Sequence, residues 1–373
     1  MSTKVTATSP TGVPLATVAG IQNGVALIVL NNPPVNSFSP KVAEALDQCF
    51  TECLDNNQVK AIVITGAGKI FIAGADIPYL LKLTRAGDHQ GTIAFLERAH
   101  AIVNRIESSP KPVIAALNGD ALGGGCELAM ACHARIAVKS AKLGLPELKL
   151  GVLPGMGGTQ RLPRLIGLQE AVANILGSKN IPSAKALKSG LVDLVVNKPD
   201  ELIPAAGKYA MEIVAGKVPK KISSQLSTKV PGKEEIQAVI ATARVQTKKK
   251  SPNIVHPLLT LDAIEHGLLN GANAGLKAEI QAFSKCLQHP AANALLHFFL
   301  ASKATTKIPG LDLKTAGKVK SVAILGGGTM GAGIAICFLM KGIPVILKEI
   351  NDDFLKAGVE RILNDIQTIV KAR

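Results

Sequence analysis

The stretch PVIAALNGDALGGGCELAMA (112–131) runs from an apolar, strand-like segment through a glycine-rich turn into a helix-prone segment. No other feature restricts the fold as much. A continuous apolar strand needs cover on both faces, and the glycines at its exit let the backbone turn directly into a covering helix. The same order occurs earlier, where KAIVIT (60–65) ends at Gly66-Ala67-Gly68 and an amphipathic stretch predicts a helix from Thr92 to Ser108. Two successive strand, loop and helix units predict a stacked α/β core in which each loop delivers backbone groups to a common edge.

The rest of the chain fits around that core. Leu15–Asn31 alternates about Asn23-Gly24, the dipeptide of a tight hairpin turn, so the chain opens with two strands. Ser39-Pro40 supplies a cap and first-turn proline for a helix to about Asn57. Gly190 closes a helix before a strand at VDLVV (192–196), and amphipathic stretches follow near 200–215, 233–247, 256–270 and 275–303. Lys307–Lys320 is the best linker candidate, being rich in Lys, Gly and Pro, and a new α/β unit starts at Ser321. At 373 residues, with 47% hydrophobic and 18% charged residues, the chain is globular and long enough for two units, or one and a piece of another. Aromatics make up 3% and there is no Trp, so the core is expected to be aliphatic.

Six cysteines show no CxxC pair, zinc spacing or preceding secretory signal, which predicts reduced, intracellular thiols and no metal site. Cys49 and Cys53 are four apart, the spacing of one helix face, and read as core filling. The net charge of +15 is concentrated beyond residue 200, which holds 23 of the 42 basic residues and 13 of the 27 acidic ones. This surplus suits phosphate-bearing ligands, a solvated basic face, or binding of RNA or an anionic surface. Without interleaved aromatics to stack on bases, nucleic acid ranks low. Ser321–Met340 carries no charge over twenty residues and imitates a membrane span, but its five glycines sit where a strand would turn into a helix. We therefore expect no membrane span.

The glycine run leads straight to a carboxylate. A helix that begins at Gly124-Gly125-Cys126 presents unsatisfied N–H groups and the positive end of its dipole, a place to hold a developing oxyanion. Glu127 either lines that pocket or is a solvent-facing acid favoured by a helix N-terminus. Twenty residues on, GLPELKLGVLPGMGGTQRLPR (144–164) places Glu147 ahead of another glycine cluster. Two carboxylates facing one cavity could hold a water, one accepting a proton while the other donates one. In KIFIAGADI (69–77) the N–H of Ala75 is a candidate partner for that of Gly124. Asp76 reads as a turn carboxylate capping local N–H groups, Cys126 as a packed small residue and His133 as structural.

NNPPVNSFS (31–39), ITGAGKIFIAGADI (64–77), NGDALGGGCELAMACHARIA (118–137) and LGLPELKLGVLPGMGGTQRLPRLIG (143–167) occur in order. Together they resemble the crotonase (enoyl-CoA hydratase/isomerase) superfamily over roughly residues 12–197. The resemblance implies a spiral of ββα units and makes Glu127 and Glu147 similar to the two catalytic glutamates of enoyl-CoA hydratases. It also makes Ala75 and Gly124 similar to the oxyanion-hole residues that receive the thioester carbonyl. Members that only isomerise double bonds commonly lack one glutamate. The pair therefore implies hydration of a 2-trans-enoyl-CoA without a cofactor, with Δ3,Δ2-enoyl-CoA isomerisation as a side or alternative activity.

SVAILGGGTMGAGIAICFLM (321–340) carries Gly326-x-Gly328-x-x-Gly331 after a strand and before a helix, and Glu349 ends the next strand 23 residues past Gly326. This is a dinucleotide fingerprint, with pyrophosphate at the helix N-terminus and Glu349 on the ribose hydroxyls, which favours NAD over NADP. The order of crotonase core, helical linker and Rossmann start resembles the N-terminal part of the multifunctional fatty acid β-oxidation proteins of peroxisomes and their bacterial α-subunit relatives. The implied domains are 1–200 (hydratase core), 201–306 (helical extension), 307–320 (linker) and 321–373, an incomplete Rossmann βαβ fragment of a 3-hydroxyacyl-CoA dehydrogenase. From this we expect only a partial NAD site and no dehydrogenase turnover by this chain. The implied compartment is the peroxisome, although KAR at the end is not a peroxisomal SKL-type address. The resemblance leaves the oligomeric state open.

Overall fold

The computed structural model describes residues 7–8, 12–305, 310 and 317–371. It divides into two compact units, Met1–Lys303 and Ala304–Arg373. The first unit opens with the expected hairpin, Ala16–Gln22 against Val25–Leu30, whose register runs from Gln22 opposite Val25 to Ala16 opposite Leu30. Asn23 (φ 51°) and Gly24 (φ 80°) take the two left-handed positions that such a short turn demands. Ala61–Gly66, Val113–Leu117, Ala134–Val138 and Leu194–Val196 then add to the hairpin in chain order, every added pair being parallel. Residues Val113–Leu117 and Ala134–Val138 are buried throughout, because both faces of a central parallel strand are covered. Val25–Leu30 instead alternates half-buried with buried, as a strand with one face less covered does.

After each of the three central strands the chain crosses to a second, smaller sheet formed by Ile72–Ala73, Ala121–Leu122, Lys142–Gly144 and Asn180–Pro182. Each turn of the chain thus contributes one strand to each sheet and then helical structure, which is the expected spiral of ββα units. The helix Pro40–Asp55 is capped by Ser39, whose side chain accepts the Val42 N–H at 3.3 Å, and it buries Cys49 and Cys53 on one face. The aliphatic core extends from Leu15 to Ile264 through both sheets and their covering helices.

Helices Leu202–Val214, Lys233–Lys250, His256–Asn270, Ala272–Gln288 and Pro290–Ala304 make up the helical extension. The single amphipathic stretch expected over 275–303 is two helices, separated at His289. Pro290 has no N–H to continue the ladder and drives the preceding residue to an extended conformation (φ −78°, ψ 136°). A second apolar cluster joins this extension to the core: Ile280, Phe283 and Leu287 pack with Leu80, Leu96, Val152 and Leu153. The helices Gly158–Ile166 and Leu168–Leu176 go beyond the expected elements; Pro163 inside the first and Gly167 between the two read as breaks in the sequence.

In the second unit the parallel strands Val322–Leu325 and Val345–Lys348 pack with helices Thr329–Leu339 and Asp352–Lys371 around Ile324, Ala332, Ala335, Ile336 and Ile362. The uncharged stretch 321–340 is therefore strand, turn and helix. Among the described residues no helix is long and apolar enough to cross a membrane. The linker expected at 307–320 lies, apart from residues 310 and 317–320, outside the described residues.

Candidate active site

Pairing between two strands of the smaller sheet stops where the glycine loop begins, and the residues just beyond it frame the site. In the smaller sheet Ile72 pairs with Ala121 and Ala73 with Leu122, after which pairing stops. Continued in the same register, Ala75 comes opposite Gly124. On its other side Ala75 bridges Phe38, whose N–H donates to Gly74 O (2.8 Å) and whose carbonyl accepts the Asp76 N–H (3.2 Å). In a parallel bridge the bracketed residue turns its own N–H away from that partner. The Ala75 N–H therefore points toward the side of Gly124, the first residue of helix Gly124–Ala131, whose N–H has no acceptor within its own helix. Asp76 caps the next helix by accepting the Tyr79 N–H at 3.1 Å.

Glu127 lies on the first turn of the helix Gly124–Ala131 and is buried, which removes the solvent-facing alternative. Its Oε1 accepts N–H bonds from Met156 and Gly158, each 2.7 Å, and Oε2 takes none. Burial pushes its carboxyl well above the ordinary range; the nearby charges of Glu147 and Glu279 add to this and the two N–H groups oppose it. Glu147 opens the short 3-10 helix Glu147–Leu150, and both its oxygens are buried without a hydrogen-bond partner. Burial pushes it up to about 8, opposed in part by its own backbone N–H, which lies nearby but outside hydrogen-bond geometry, and reinforced by the charge of Glu279. Two glycines make room for this pair. A Cβ on Gly123 (φ 54°) would stand 3.0 Å from Glu147 Oε1, and one on Gly158 would stand 2.8 Å from Glu127 Oε1.

Glu279, a third carboxylate, was not singled out from the sequence; it lies in the amphipathic stretch 120 residues beyond the loop it serves. It is wholly buried on helix Ala272–Gln288 and accepts N–H bonds from Gly157 (2.6 Å) and Thr159 (3.0 Å) and a bond from the Thr159 hydroxyl. The loop is anchored further by Arg161, which donates to Met156 O (2.9 Å) and pairs through Nε and Nη2 with Glu107 (3.2 and 2.8 Å). Cys126 is buried and its thiol is pushed up by burial, so it packs rather than reacts. His133 is structural: its Nδ1 accepts the Val113 N–H at 2.8 Å. Three buried carboxyls thus lie about the glycine turns: Glu279 saturated by the 156–159 loop, Glu127 engaged through one oxygen, and Glu147 beside Gly123 with no hydrogen-bond partner, a set able to take up and deliver protons. Among the described residues no group of three His, Cys, Asp or Glu side chains is placed to hold a metal ion.

Residues 20–256 match the family model described as enoyl-CoA hydratase/isomerase, about two-thirds of the sequence. The chain belongs to the enoyl-CoA hydratase/isomerase family. Residues 321–373 match a second model, 3-hydroxyacyl-CoA dehydrogenase, NAD binding domain. The chain is 43% identical over 351 residues to the peroxisomal fatty acid β-oxidation multifunctional protein MFP2 of Arabidopsis thaliana, covering 94% of this chain and 48% of that protein. It is 43% identical over 352 residues to the glyoxysomal multifunctional protein MFP-a of Brassica napus, with the same coverage of each. The chain thus spans about half the length of the curated relatives it matches. An enoyl-CoA hydratase from Bacillus halodurans superposes with a TM-score of 0.56 at 22% identity, covering 76% of this chain and 99% of that one, a likeness of fold.

In the second unit Gly326 has φ 97°, and a Cβ on Gly331 would stand 1.8 Å from Gly326 O, so turn and helix can approach only without side chains there. Gly328 is open and caps helix Thr329–Leu339. The Glu349 carboxylate accepts the Gly327 N–H beside that helix end. These residues fit the pyrophosphate and ribose positions of a dinucleotide.

Proposed function

We propose that this chain hydrates 2-trans-enoyl-CoA thioesters to 3-hydroxyacyl-CoA in fatty acid β-oxidation. The observation that carries this is the pair of buried glutamates with unequal hydrogen bonding: Glu127 accepts two N–H groups on one oxygen, which favours its ionised form, while neither oxygen of Glu147 has a hydrogen-bond partner. In this reading the thioester oxygen accepts from the N–H groups of Ala75 and Gly124, which stabilise the enolate-like charge by about 3 to 4 kcal/mol per donor, as such donors do in acyl transfer. Glu127 takes a proton from the water as its oxygen bonds to Cβ. The Cα–Cβ π electrons move toward the carbonyl, and neutral Glu147 delivers a proton to Cα. One water is consumed, and the proton on Glu127 returns to Glu147 for the next turnover. An unpartnered Glu147 also suits transfer of a proton between Cα and Cγ, the isomerase reaction.

The partition into core (1–200), helical extension (201–306), linker (307–320) and dehydrogenase segment (321–373) belongs to the same proposal. NAD, where bound, would supply hydride acceptance; Gly326, Gly328 and Gly331 would admit its pyrophosphate and Glu349 would hold its ribose. The names of the relatives suggest the peroxisome as the compartment.

The test follows the enoyl-thioester absorbance of crotonyl-CoA and a longer 2-trans-enoyl-CoA with wild type, Glu127→Gln and Glu147→Gln. We expect hydration by the wild type and a loss of at least about 100-fold in each variant. Full activity in either variant overturns the assignment. Retention of isomerisation in Glu127→Gln with loss of hydration separates the two activities.

A further inference from the structure

The glycine loop Met156–Thr159 divides its four N–H groups between two carboxylates that come from distant parts of the chain. Met156 and Gly158 donate to Glu127 Oε1, while Gly157 and Thr159 donate to Glu279. Alternate N–H groups of the segment thus serve different partners, so each carboxylate constrains the loop that carries the other's donors. Glu279 is wholly buried and its oxygens are filled by two N–H groups and the Thr159 hydroxyl, with the His100 ring 3.4 Å away. Such saturation suits a group that holds its neighbours in place, since a buried polar group is retained only with close partners. Glu127 is half engaged and Glu147 not at all, so engagement falls from Glu279 on the helical extension to the acid left free to react.

We propose that Glu279 is a positioning residue for the hydration step: through the 156–159 loop it sets where Glu127 stands. This rests on the hydratase reading above. It assigns the helical extension a part in the chemistry beyond burial of apolar surface. Gln at this position places an N–H2 donor against the Gly157 or Thr159 N–H donors, so Glu279→Gln keeps the shape and replaces one of the two acceptor oxygens by a donor.

The test is a double-mutant cycle of Glu127→Gln and Glu279→Gln in the full chain, read by kcat and KM for crotonyl-CoA hydration. Alongside it, hydrogen exchange of the Met156–Thr159 amides reads the geometry without catalysis. We expect Glu279→Gln to lower kcat by about 10- to 100-fold with KM changed less than about threefold, the effect of a displaced catalytic group. In the Glu127→Gln background the same change is expected to lower kcat no further, because nothing remains to position. The Met156 and Gly158 amides should exchange at least about tenfold faster in Glu279→Gln. If Glu279→Gln does not fold, Thr159→Val, which removes one donor at constant shape, should lower kcat about threefold or more through the same charged hydrogen bond. Equal losses from Glu279→Gln in both backgrounds, or unchanged exchange at Met156 and Gly158, overturn the proposal. So does an unchanged kcat in whichever of Glu279→Gln and Thr159→Val folds. An inactive wild type whose exchange still depends on Glu279 removes the hydratase reading and leaves the positioning contact in place.

Discussion

Replacing Glu147 by Gln should make the protein more stable at high pH while destroying its activity. In the folded chain burial lifts this carboxyl from its ordinary 4.5 to about 8, so ionisation in the fold is disfavoured by about 5 kcal/mol at 1.36 kcal/mol per unit. The folded state therefore binds the proton more tightly than the unfolded chain does. The stability tied to that proton is fully present below pH 4.5 and is lost as pH rises through about 8. Gln carries no charge at any pH and escapes this loss. Removing Glu147 also takes a negative neighbour from Glu127, which acts in the same direction. The assay is thermal unfolding of both proteins in matched buffers from pH 5 to 9. At about 2 °C per kcal/mol for a unit of this size, the variant's Tm should gain on wild type by up to roughly 10 °C across that range. A difference between the two that stays constant with pH would refute a buried, protonated Glu147.

Gly158→Ala puts a Cβ 2.8 Å from both Glu127 Oε1 and Pro154 Cβ, so Glu127 must shift; we expect a kcat loss of about 100-fold in the hydratase assay with the fold retained. Glu107→Gln leaves the buried Arg161 guanidinium without its counter-charge, and urea unfolding should show a loss of about 3 to 5 kcal/mol; less than 1 would mean that the pair contributes little. Burial holds His133 down to about 4, so stability tied to its neutral form is present above its ordinary 6.5 and lost as pH falls toward 4. Its imidazole NMR signal should not titrate above pH 5, and a midpoint near 6.5 would contradict the neutral, Val113-bonded ring.

Much of this architecture was legible because its signals are local. Asn23-Gly24 fits the hairpin turn through its own φ preference, and Ser39-Pro40 caps a helix within four residues. The apolar runs at 61–66 and 113–117 are buried strands because no other arrangement covers every side chain in them. The break at Pro290 is legible in the same way, although the hydrophobic period runs on across it. The helix Gly158–Ile166 has a polar face, Thr159, Gln160, Arg161 and Arg164, that reads as solvent-facing but is buried in hydrogen bonds to distant residues, and Pro163 within it reads as a break.

The sequence alone determined which residues have the chemistry: two glutamates on glycine-flanked loops, two small residues with backbone N–H groups to spare, and a GxGxxG turn with an acid beyond it. Those properties belong to residue type and to neighbours a few positions away. Tertiary structure decided how each group behaves. It buried Glu127 and gave it two N–H partners, left Glu147 buried with none, and brought Glu279 from 120 residues away to hold the loop between them. Burial and long-range hydrogen bonds set a carboxyl's proton affinity and position, and both come from contacts that exist only once the chain has closed on itself.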